Sequence, residues 1–198
     1  MNTKCIILLG VLVISSITPF SCKKGENDPF FSIRTRKARI TGEWTLESGK
    51  INIQQNTDST FALSFTGSTM SVNLNGSHYQ DYKYSRKLII DKDGTFSMTD
   101  VYSGAGSDYL QGIWYFAGKN KEMEMKNKEG LILGFTDVDA YSGYVLSHHS
   151  YVADVAFSID RLSHKKMVLK SEFAYIDDND NTIIQTETLT YSKEEKEK

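Results

Sequence analysis

Any chemistry in this chain has to come from a short list of side chains. Four histidines are present, His78, His148, His149 and His164. Adjacent side chains on a strand point to opposite faces, so His148 and His149 reach one metal only from a loop, which Ser142-Gly143-Tyr144 and Ser147 to Ser150 permit. A zinc site needs three or four converging ligands, and neither His-x-His nor His-x3-His spacing occurs, so loop histidines without a site are the better account. Asp177-Asp178-Asn179-Asp180-Asn181 starts like a calcium loop, with oxygen side chains at alternate positions. It then has Thr182 where that loop needs glycine and Thr188 where it needs glutamate, which leaves a hairpin turn with, at most, millimolar calcium affinity. Ser103-Gly104-Ala105-Gly106-Ser107 has no following Lys-Ser/Thr and no helix to make a phosphate cradle. No nucleophile elbow and no Ser/His/Asp constellation stands out. The expectation is a protein without metal, without cofactor and without enzymatic activity.

The one residue whose surroundings specify a reaction is Cys22. Its only companion, Cys5, lies in the apolar run Cys5 to Ile17, which follows the basic Lys4. That run has the length of a secretory signal core and is too short to span ~30 Å of hydrocarbon as a helix. Removing residues 1–21 as a signal peptide leaves no cysteine pair to oxidise. A small residue, Ser21, directly before Cys22, and the polar Lys23-Lys24-Gly25-Glu26-Asn27-Asp28 directly after it, resemble the lipobox of bacterial lipoproteins. That resemblance implies that Cys22 becomes the acylated first residue of the mature chain, carrying acyl chains such as palmitate, with membrane lipid as its partner. Each buried methylene contributes ~0.8 kcal/mol, so two or more chains hold a domain at the bilayer. A free Cys22 thiol after an ordinary signal is the other reading, and an odd one in an oxidising compartment. Two lysines after Cys22, in place of the acidic run of some surface-exported lipoproteins, favour the outer membrane facing the periplasm.

The remaining 177 residues form one domain, and loss of Lys4 moves the formal charge from −2 to −3. A chain of this size buries roughly 68–70% of its unfolded surface, enough for a core without staples. With no basic excess, a nucleic-acid partner is not expected. The basic cluster Arg34, Arg36, Lys37 and Arg39 reads as the solvated face of a short helix more readily than as a headgroup contact.

Residues 22–40 form a lipidated tether and a short helix or cap, with Phe30, Ile33 and Ile40 at helical spacing. Residues 41–191 read as strand, and residues 192–198 as a charged, frayed tail. Phe61, Leu63 and Phe65 alternate with polar neighbours, as do Met123 and Met125. Leu88 and Ile90 lead through Asp91-Lys92-Asp93-Gly94 to Phe96 and Met98, a hairpin signal. Later runs cover Tyr151 to Leu162, Lys165 to Ile176 and Thr182 to Tyr191. Eight to nine strands with no long helix predict an all-β sandwich or a closed antiparallel barrel.

The choice between them rests on short motifs. Gly42-Glu43-Trp44 opens the first strand, followed by Asp93-Gly94-Thr95-Phe96, Gly112-Ile113-Trp114, Lys121-Glu122-Met123-Glu124-Met125 and Phe157-Ser158-Ile159-Asp160-Arg161-Leu162. That order resembles the lipocalin-like domains of bacterial lipoproteins over residues 41–191. The resemblance implies a β-barrel in which Gly42 admits a tight entry, Trp44 closes the base and a basic residue, assigned to Arg161, packs over it. Two functions follow. In the first, Phe61, Leu63, Phe65, Phe96, Met98, Trp114, Phe116, Met123 and Met125 line one barrel face and hold a small apolar or amphipathic ligand, with Gly112, Ala62 and Ala117 leaving room. In the second, the barrel is filled and the loops bind a protein or glycan through Tyr102, Tyr109, Tyr141, Tyr144 and Tyr151.

Overall fold

Period-two burial builds this molecule. In residues 84–90 the inward positions are Tyr84, Arg86, Leu88 and Ile90; in residues 96–100 they are Phe96, Met98 and Asp100; in residues 183–191 every odd position is buried. Each such run has one face for a core and one for water. The structure, a computed structural model, describes residues 34–56, 59–119, 121, 129–136, 154–176 and 180–193. The strands are β1 (Gly42–Gln55), β2 (Ser59–Phe65), β3 (Thr69–Leu74), β4 (Ser77–Ile90), β5 (Thr95–Tyr102), β6 (Gly106–Phe116), β7 (Gly130–Phe135), β8 (Asp154–Leu162), β9 (Lys166–Ile176) and β10 (Thr182–Ser192). They close into one antiparallel barrel in the order β1-β10-β9-β8-β7-β6-β5-β4-β3-β2.

Among the described residues the count is ten strands, where the sequence predicts eight to nine. The difference arises between residues 69 and 90. Ser77 to Lys83 of β4 are exposed and polar or aromatic, with no apolar alternation to announce a strand, and a bulge between Val72 and Asn73 breaks the β3–β4 register. Strand β1 is shared between two partners. Gly42 to Thr45 pair with Ile90 to Lys87 of β4, and Gly49 to Gln55 pair with Phe65 to Ser59 of β2. The β2–β3 hairpin is therefore wedged between β1 and β4 over one half of the barrel only. The Met123 and Met125 strand, the loop histidines 148 and 149, and Asp177 to Asn179 lie outside the described residues.

One end of the barrel is capped by α1 (Arg36–Ile40). The helix predicted within residues 30–40 is thus five residues long, with Thr35 as N-cap accepting from the Ala38 amide at 3.1 Å. Ile40 is fully buried, and the Trp44 indole beneath it donates to the Ile40 carbonyl at 2.6 Å. The basic cluster is not simply a solvated face. Arg39 is buried and its guanidinium donates to the Leu162 carbonyl, while Arg34 and Lys37 are exposed. The Lys37 ammonium stands 5.9 Å from the Trp114 ring centre.

The cation over Trp44 is also a correction. Arg161 is exposed, and Lys193 occupies the position, its Nζ 4.3 Å from the ring centre and donating to the Arg39 and Thr41 carbonyls at 2.7 Å each. Burial first, and then the Arg34 charge, pull Lys193 down to about 8, so it is still an ammonium at pH 7. Gly42 makes room for it. At φ +128° few side chains are tolerated, and a Cβ there would lie 3.3 Å from the Lys193 Nζ.

Gly112 meets a different constraint from the one expected. A Cβ at Gly112 would lie 2.0 Å from the Gly134 carbonyl oxygen and 2.8 Å from the Phe96 ring. The glycine lets β6 and β7 approach closely, and the space beside it is filled by Phe96, which packs edge-on against Phe135 with ring centres 5.3 Å apart.

Candidate functional site: a cavity at the end opposite the helix

Above the Trp44 end, Leu88 and Met98 continue the apolar interior, and then the inward register turns polar. Arg86 and Asp100 are directly opposed across β4 and β5 and form a two-pronged ion pair, Nε to Oδ1 at 2.6 Å and Nη2 to Oδ2 at 2.7 Å. Both side chains are buried. The Tyr84 hydroxyl adds a third bond to Asp100 Oδ1 at 2.8 Å. From β10, Gln185 donates to Glu187 at 2.5 Å, also fully inside. Burial raises Glu187 above the ordinary glutamate range, partly offset by the Gln185 bond and the Arg86 charge. Burial likewise raises the Tyr84 phenol, so it stays a donor to Asp100.

These groups leave little room at the barrel centre. The void bounded by Arg86, Glu187, Leu88, Met98 and Tyr191 is about 20 Å³, space for a single water. Phe65, Tyr84 and Tyr102 then form a row of tilted rings, with centres 5.2 and 5.3 Å apart.

Beyond that row the barrel opens into a cavity of about 690 Å³. Its walls come from Phe61 and Leu63 of β2, Met70, Val72 and Leu74 of β3, Tyr79 and Tyr82 of β4, Tyr102 of β5, and the turn into β6 from Ala105 to Asp108. The wedged β2–β3 hairpin and the projecting start of β4 make it. Strand β4 outruns β5, whose pairing with it ends at Tyr84 opposite Tyr102, so Ser77 to Lys83 stand free of β5 and carry Tyr79 and Tyr82 above the row of rings. Tyr82 is held by its hydroxyl donating to Gln80 at 3.1 Å. Tyr79 is 65% exposed at the rim. The size and the mostly apolar, aromatic walls with a few polar groups are those of a small-molecule site.

The predicted ligand face is divided by this arrangement. Phe61 and Leu63 line the cavity, and Phe65 stacks beside it on Tyr84. Phe96, Met98 and Trp114 are buried core residues below the polar layer, and Phe116 packs edge-on against Trp114 at 5.5 Å. The Trp114 indole donates to the Asp91 carbonyl at 2.7 Å, beside the helix end. Met123, Met125 and Cys22 lie outside the described residues. Of the tyrosines assigned to loop binding, Tyr102 lines the cavity and Tyr109 is exposed on the outer face of β6; Tyr141, Tyr144 and Tyr151 are not described.

Sequence reasoning missed Met70, Val72, Tyr79, Tyr82 and Asp108, and the whole polar layer. Met70 and Val72 do alternate with Ser71 and Asn73, a signal that six residues make short. His78 lies 3.8 Å from Asp81 and His164 against Arg34, and no group of three or more potential metal ligands occurs among the described residues. Asn181 accepts from the Asn56 side chain at 2.8 Å, tying the turn before β10 to the end of β1.

No family model matches this chain, and no curated protein matches it. Among solved structures, a lipocalin-like protein from Bacteroides uniformis is similar over 74% of this chain and 96% of its own length, at 13% identity and a TM-score of 0.38. The closed barrel itself rests on this chain's own strand pairing.

Proposed function

We propose that this protein is a lipid-anchored envelope lipoprotein with a lipocalin-like barrel, not an enzyme, that holds a small apolar or amphipathic molecule in the cavity between the β2–β3 hairpin and β4. The observation that carries this is the cavity of about 690 Å³ walled by Phe61, Leu63, Met70, Val72 and three tyrosines. The anchor reading draws on the Ser21-Cys22 motif and its apolar leader. Acylated Cys22 would tether the helix-capped end near the bilayer, since the eleven residues between Cys22 and Arg34 reach at most about 40 Å. The cavity would then sit at the far end, with the outer membrane and the periplasmic face as the proposed place.

Native mass spectrometry of protein prepared without its anchor, paired with displacement of a fluorescent apolar probe, tests the cavity. We expect a co-purifying small molecule or a displaceable probe, and loss of both in Val72→Trp, which fills the space. No bound species and no probe binding would refute it. Cys22→Ala should leave the membrane fraction; an unlipidated N-terminus in membrane-bound wild-type protein would refute the anchor.

The alternative, an interaction protein that binds a protein or glycan partner through its surface, draws on the filled barrel centre and on the outward row Tyr109, Ile113 and Tyr115 of β6, all exposed. A tight protein partner in pull-downs that persists in Val72→Trp would favour it.

A further inference from the structure

The charges around the cavity point further than its size does. Asp108, at the mouth, is the one charged side chain among the described residues that line it. The aromatic walls, Tyr79, Tyr82 and Tyr102, offer ring faces whose negative quadrupoles attract a cation, and Phe61 adds a fourth ring. The nearest guanidinium, Arg86, is fully engaged below the ring row by Asp100 and presents no positive charge to an anionic ligand. The Tyr102 hydroxyl is shielded from solvent and has no hydrogen-bond partner among the described residues. Burial and the carboxylates of Asp100 and Asp108 keep that phenol protonated, so Tyr102 presents a neutral ring to the cavity.

We propose that the cavity selects organic cations, amines or quaternary ammoniums with an apolar body, the body against Leu63, Met70 and Val72 and the charged nitrogen among the tyrosine rings and Asp108. This rests on the cavity being a ligand site and narrows the class of ligand. Fatty acids are disfavoured, because their carboxylate would meet Asp108 and ring faces with no cation among the described lining residues to answer it.

The test compares three matched probes, decyltrimethylammonium, decanoate and decanol, each below its micelle concentration, by calorimetric titration of protein prepared without its anchor. We expect the cation to bind about tenfold more tightly than decanoate, with decanol between them. Asp108→Asn should shrink that ratio to about threefold, and Tyr82→Leu should weaken the cation more than decanol. Unchanged melting curves would show that both variants are folded. Decanoate binding as well as the cation while decanol also binds would overturn the selectivity and leave the ligand site standing. A ratio unmoved by Asp108→Asn would overturn the role of that carboxylate. No binding of any of the three would remove the ligand site and the selectivity together.

Discussion

Replacing Arg86 by Met should destabilise the protein by about 3–5 kcal/mol, because it strands the Asp100 carboxylate inside the barrel with only the Tyr84 hydroxyl as partner. Asp100→Leu should do comparable damage, leaving a guanidinium buried without its two-pronged acceptor. If the two losses were independent, the double variant would lose about 6–10 kcal/mol, a large part of what a domain has. The geometry says otherwise. With both charges gone, the groups around them are Leu88, Met98, ring faces and Glu187, which loses the Arg86 charge, and the orphans that remain are the Tyr84 hydroxyl and the Tyr191 hydroxyl that Arg86 also bonds, each worth about 1–3 kcal/mol. The double variant should therefore be more stable than either single one, and adding Tyr84→Phe should recover part of the residue. Urea denaturation followed by tryptophan emission gives the cycle, with m-values checked for constancy. A double variant as unstable as the sum of its singles would show that Arg86 and Asp100 are held by other partners and that the polar layer is not a closed pair.

Glu187 has a folded-state pKa above the ordinary 4.5, so above that pH the folded protein binds more protons than the unfolded chain. Its contribution to stability is whole below pH 4.5 and declines as pH rises toward the folded value; Glu187→Gln should flatten this slope in melts between pH 4.5 and 8, and an unchanged slope would refute it. Trp44→Ala should lose about 3–5 kcal/mol and Trp114→Ala less, since Trp44 is the more deeply buried and its ammonium partner stands at 4.3 Å, against 5.9 Å for Lys37 over Trp114; equal effects in denaturant melts would contradict this. Gly112→Ala should destabilise by about 1–3 kcal/mol because its Cβ meets the Gly134 carbonyl, and a neutral melt would show that β6 and β7 separate easily.

Much of the lower barrel was legible from local pattern. The Asp91-Lys92-Asp93-Gly94 turn sets Ile90 opposite Phe96, and counting outward from it places Arg86 opposite Asp100 on the inward register. A charge of each sign at facing buried positions was therefore available to a reader who trusted the alternation through a polar residue. The cavity was not. It depends on β1 dividing its pairing between β2 and β4, on a bulge at Val72 and on β4 outrunning β5, none of which leaves a periodic trace. Lys193 shows the same limit. Which cation lands on Trp44 is decided by where the tenth strand ends, and local pattern reads Lys193 as tail.

The pairing of β1 with β10 sets Thr45 against Ser192, so the first strand waits for the last before the wall is continuous. Lys193 then locks the helix end by binding carbonyls about 150 residues earlier. Such long-range closure is slow to form, and until it forms both edges of the sheet stay unpaired and able to recruit other chains. A growing chain cannot complete this barrel while β10 is still unmade, so it remains threadable until β10 has been synthesised. For a protein proposed to cross a membrane before it folds, late closure keeps the chain extended for export, and makes periplasmic protection of β1 during the interval before β10 docks the step where folding and aggregation compete.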